Sequence, residues 1–162
     1  MPLSKLALAA LVSAAMLGAI APVQAADEIN AVPGLSVAGA PLALHGYDPV
    51  AYFTEGQPVL GSDKLVHTHE GVAYRFASQA HLDAFKKEPA RYVPQYGGFC
   101  AYGVAVGKKF DGDPRLWNID GGKLYLNLNE EIYETFLKDV EGNVAKADGN
   151  WPKILHTAAR DL

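Results

Sequence analysis

Cys100, His45, His67, His69 and His81 carry the side chains in this chain most able to do chemistry by coordination. A thiolate with imidazoles forms a donor set that suits copper or zinc by ligand softness. His67 and His69 are two apart in Leu65-Val66-His67-Thr68-His69. On a strand they share one face, a spacing compatible with chelation. Cys100 is the only cysteine. It sits in the aromatic and glycine stretch Tyr96-Gly97-Gly98-Phe99-Cys100-Ala101-Tyr102-Gly103. As a ligand it must lose its proton, so binding through it would depend on pH. As a buried thiol it is a small hydrophobe. Both readings stand for Cys100, and for each histidine the other reading is a packing, capping or surface role. One thiolate is too few for a cysteine-rich tetrahedral zinc site.

Other groupings are weaker. His45, Tyr47 and Asp48 are close in sequence and could line a pocket, while Asp48 before Pro49 also reads as a helix cap. Tyr92, Tyr96, Phe99, Tyr102 and Trp117 could surround a small ligand, with Tyr47 beside them, or fill a core. No local signature of a cysteine hydrolase surrounds Cys100, and the chain reads as non-enzymatic.

The elements that must position these residues follow from periodicity and turn chemistry. Lys5, the apolar run from Leu6 to Ile20 and Val23-Gln24-Ala25 read as a signal peptide, residues 1–25, cleaved after Ala25. The mature protein is then periplasmic or secreted, with no stable membrane insertion. Residues 26–43 form an extended lead-in, 44–155 the domain and 156–162 a tail. A net charge of −4 gives no basic footprint for nucleic acid. Near-half apolar content fits a compact globule.

Asp48 and Pro49 start a short helix to about Phe53. Residues 65–69 and 72–76 form a hairpin about Glu70-Gly71. Ser78 caps a helix from Gln79 to about Lys87, with Leu82 and Phe85 inward. Pro89 opens a helical turn through Tyr92. Gly97 to Gly107 reads as a short buried helix. A second hairpin joins 116–119 to 123–127 across Asp120-Gly121-Gly122. Asn129 caps a longer helix from Glu130 to about Val140. Trp151 closes the core. The fold class is α+β: two β-hairpins packed with short helices and one longer C-terminal helix.

Four stretches carry a family resemblance. They are Gly46-Tyr47-Asp48-Pro49-Val50-Ala51-Tyr52-Phe53, Tyr74-Arg75-Phe76-Ala77-Ser78-Gln79-Ala80-His81, and Tyr96 to Gly103 with Gly122-Lys123-Leu124-Tyr125-Leu126-Asn127. In this order they resemble the exported bacterial YHS-domain proteins, over about Leu44 to Ile154. The resemblance implies a YHS-like fold and a role in sensing or delivering a transition metal, copper foremost, with a metal-handling partner protein. Metal-type members of that family carry Phe-Cys-Ser-x-x-Cys where this chain has Ala77 and His81, so the first thiolate is absent and the second is replaced by imidazole. Two expectations follow: metal exchange through some of Cys100, His81, His67 and His69, or a small-ligand or protein-interaction module that has lost the metal site.

Overall fold

The computed structural model describes residues 27–32 and 38–162. The signal peptide and part of the lead-in lie outside them. Strands β1 (Ala31–Val32), β2 (Leu42–Ala43), β3 (Ser62–His69) and β4 (Val72–Phe76) form one sheet in the order β1-β2-β4-β3. β2 runs parallel to β4, and the other neighbours are antiparallel. β5 (Asp113–Asp120) and β6 (Lys123–Asn127) form a separate antiparallel hairpin. The helices are α1 (Ala51–Thr54), α2 (Gln79–Lys87), α3 (Pro89–Tyr92), α4 (Ala101–Ala105), α5 (Glu130–Leu137) and α6 (Val140–Ile154). The class is α+β, as the sequence predicts.

Local chemistry accounts for most boundaries. Glu70 and Gly71 have φ of 49° and 81°, the left-handed pair of a tight hairpin turn. Gly121 and Gly122 do the same for β5–β6, at 54° and 75°. Ser78 caps α2 by accepting the His81 backbone N–H at 3.2 Å. Asn129 caps α5 by accepting that of Ile132 at 3.0 Å.

Two expectations are corrected. α5 stops at Leu137, before the anticipated Val140, because Asp139 turns its carboxylate onto the Gly142 N–H at 2.9 Å and starts α6. α6 is absent from the sequence reading because Gly142, Gly149 and Pro152 lie within it and favour other conformations. Tertiary bonds hold it: Asn150 Nδ2 donates to the carbonyls of Val104 and Ala105 at 3.2 and 3.0 Å. The lead-in also supplies β1 and β2, so it is part of the sheet.

Two apolar clusters form the core, and β6 divides them. Leu124 and Leu126 face the first cluster, with Tyr52, Phe76, Phe85 and the sheet. Tyr125 faces the second, with Phe99, Val104, Phe136 and Ile154. The strand's two-residue period buries both of its faces.

Two short turns are strained. Leu44, His45 and Gly46 have φ of 52°, 49° and 85°. Tyr96, Gly97 and Gly98 have 54°, 61° and 83°. Each non-glycine residue here costs about 1–2 kcal/mol. Asn30 ties the two turns together. Its backbone N–H donates to Gly97 O at 2.9 Å. Its amide donates to Gly98 O at 3.2 Å and to Asp111 Oδ1 at 2.6 Å. The same carboxylate oxygen lies 3.0 Å from His45 Nε2. A side-chain Cβ at Gly97 would lie 1.9 Å from Glu28 O, so the segment at residues 27–32 packs directly on this turn.

Candidate functional site

The four predicted donors go to three different places. Cys100 is fully buried and caps α4: its sulfur accepts the Gly103 N–H at 3.3 Å. The thiol also points to Asn127 Oδ1 at 3.8 Å. Burial pushes its pKa up, so it stays protonated and inert at neutral pH. His67 and His69 do share a face of β3, as their spacing predicts. That face packs on Phe85, with ring centroids 6.2 and 5.7 Å away. Burial, with Lys86 and His69 nearby, holds His67 below its usual pKa.

His81 is held through both ring nitrogens. Its Nδ1 lies 2.7 Å from Asp48 Oδ2. Asp48 is fully buried, and its carboxylate also accepts the backbone N–H groups of Val50 at 2.8 Å, Ala51 at 3.4 Å and Ala77 at 2.7 Å. It therefore caps α1, as the sequence predicts, and also fixes the start of α2. A carboxylate only accepts, so His81 Nδ1 carries a proton. Nε2 then faces Thr54 Oγ1 at 3.1 Å and Glu55 Oε1 at 3.7 Å. This pairing spans 33 residues in sequence, and no local pattern announces it. His81 and Cys100 share no partner among the described residues. No group of three or more His, Cys, Asp or Glu among them is arranged to hold a metal.

The anticipated pocket at His45, Tyr47 and Asp48 forms in part. His45 and Tyr47 line a cleft of about 300 Å³ with Asp111, Asp113 and Arg115, while Asp48 turns away to His81. Its charges are largely self-paired. Arg115 grips Asp113 at 2.7 and 3.0 Å and holds that carboxyl below its ordinary pKa.

A larger cleft, about 510 Å³, opens between residues 28–29, the β3–β4 turn, the Tyr96 turn and the end of α6. Its size falls in the ordinary range for small-molecule sites. Tyr74, Tyr96 and Trp151 line it, with Glu28 and Glu70 among its polar groups. Of the aromatics expected around a ligand, only Tyr96 is here. Tyr92 and Phe99 are core, and Trp117 packs edge-on to Tyr52 at 5.4 Å. Trp151 is half-buried and lines the cleft as well as packing on the second cluster. Tyr96 donates its hydroxyl to Asp148 at 2.8 Å, which fixes the ring. Tyr74 is 2% exposed. No single stretch of sequence contains this cleft, because its walls come from four separate segments.

Comparison with protein-family profiles, with curated proteins and with solved structures gives no match. Among the described residues, no helix is long and apolar enough to cross a membrane.

Proposed function

We propose that this chain is an exported, non-enzymatic binding module, akin to the exported YHS-domain proteins it resembles, that holds a small ligand in the 510 Å³ cleft. One observation carries the reading: residues 28–29, 70, 74, 93–97, 151 and 155 line a preformed cleft whose volume is ordinary for a small-molecule site. The strain in the Tyr96 turn supports the same reading, since it builds one wall of the cleft. The test is a two-dimensional amide NMR screen of the folded protein against small amines, acids, sugars and neutral aromatics. A ligand should move the resonances of Tyr74, Tyr96 and Trp151 together. If no compound saturates below about 5 mM, weaker than ordinary specific binding, the reading is wrong.

A second reading rests on the Asp48–His81 pair. A buried carboxylate on Nδ1 orients an imidazole so that Nε2 is the coordinating atom, as behind many metal-ligating histidines. Under this reading His81 with Glu55 forms an exchange site for copper or zinc that a metal-handling partner protein completes, and Cys100, His67 and His69 take no part. Copper or zinc titration should then be abolished by His81→Ala and unchanged by Cys100→Ala. Loss of binding in Cys100→Ala would overturn it.

A further inference from the structure

Lys109 is the one buried cation among the described residues, at 4% exposed. An ammonium has three N–H donors and no acceptor. Here all three are used, on two segments far apart in sequence. One takes the carbonyl of Asp27, and the others take those of Leu155 and Thr157 at 2.8 Å each. The Phe99 and Trp151 rings lie 5.3 and 5.2 Å from the same nitrogen. A second tie crosses between the same two segments: His156 Nδ1 lies 2.7 Å from Glu28 Oε1. The neighbouring Lys108 holds the carbonyl of Leu162.

Apart from these ties the two segments are lightly held. No residue of 27–32 or of 155–162 is buried. Residues 27–32 add the Asn30 bonds, two strand pairings of β1 on β2 and partial packing of Ile29 and Ala31. Residues 155–162 add turn bonds of their own and partial packing of Leu162. Segments with few buried contacts open more readily than the core. Both also line the cleft, through Glu28 and Ile29 on one and Leu155 on the other.

From these shared bonds we propose that residues 27–32 and 155–162 are a single latch, keyed by the Lys109 ammonium, that opens and closes as one unit and carries walls of the 510 Å³ cleft with it. If either segment leaves, the ammonium is left with buried donors unmet, so freeing one loosens the other. Lys109 is then a positioning residue for the cleft. The latch needs no ligand, so it holds or fails independently of the binding reading above.

Native-state amide hydrogen exchange on the full folded protein tests it. The Asn30 N–H, bonded to Gly97 O, reports on one segment, and the Thr157 N–H, bonded to Ile154 O, on the other. In the unmodified protein the two should share one opening equilibrium and one urea dependence, and open more readily than the β6 amides. Lys109→Met keeps an unbranched apolar stem and removes the donors. It should raise opening at both amides by a common factor of at least about ten, the size of one lost charged hydrogen bond. Different opening equilibria for Asn30 and Thr157 in the unmodified protein would mean two independent segments and overturn the latch. An opening equilibrium equal to that of the β6 amides would make both segments part of the core and overturn it too. These two outcomes are read without the variant, so they decide the matter even if Lys109→Met fails to fold. In the folded variant, faster exchange at one amide alone would remove Lys109 as the key.

Discussion

Replacing Asp48 by asparagine tests the central polar connection of the fold. The carboxylate of Asp48 is fully buried and receives four donors: Val50 N, Ala51 N, Ala77 N and His81 Nδ1. Asparagine has the same shape but one accepting oxygen. With that oxygen kept on Val50 and Ala51, the amide NH₂ points at the Ala77 N–H and at His81 Nδ1–H. Two bonds to a charged acceptor are lost, each worth about 1.5–3 kcal/mol. His81 can recover one by moving its proton to Nε2 and accepting from the new amide. The Ala77 N–H has no such remedy. The expected cost is therefore about 2–5 kcal/mol, a large part of the stability of about 5–15 kcal/mol usual for a domain. Urea unfolding followed by circular dichroism measures it, with the slope unchanged. Imidazole ¹⁵N shifts read the tautomer, which should switch from Nδ1–H to Nε2–H. A cost below about 1 kcal/mol, little more than a surface change, with the tautomer unmoved would show that Asp48 does not orient His81.

Three further outcomes follow from the geometry. Cys100 should resist thiol reagents in the folded protein and react only on unfolding, as a reaction with Ellman's reagent with and without urea shows. Burial raises the folded thiol's pKa above its ordinary value of 9.0, so folding stability is undiminished below that pH and falls as pH rises above it toward the folded value. Cys100→Ala should remove this alkaline loss. Gly97→Ala should cost about 2 kcal/mol or more, because φ is 61° and the new Cβ would lie 1.9 Å from Glu28 O. Limited proteolysis should then cut near residues 27–32. Gly121→Ala, at φ of 54° but with open space around it, should cost only about 1 kcal/mol and leave that segment protected.

Much of the fold is legible because its signals are local. Ser78, Asn129 and Asp48 cap helices through atoms two to three residues away. Glu70-Gly71 and Gly121-Gly122 turn their hairpins through backbone preference alone. α6 escapes sequence reading for the converse reason: its glycines and Pro152 disfavour a helix locally, and Asn150 and the second core hold it. The site residues divide in the same way. His67 and His69 share a face because strand geometry requires it, but only the fold places Phe85 beneath them. Cys100 reads equally as ligand or packing residue until the structure shows its sulfur buried and capping α4.

By itself, the sequence determined the α+β pattern, the two hairpins, the capped helices and a short supply of thiolates, since each depends on residue type and near-neighbour spacing. Only the tertiary structure decided that His81 belongs to Asp48, that Cys100 stands apart from both, and that Tyr74, Tyr96 and Trp151 meet Glu28 and Glu70 around one cleft. Those groupings join residues tens of positions apart. They exist because two buried clusters and a pair of strained turns, tied by Asn30, fix distant segments against one another.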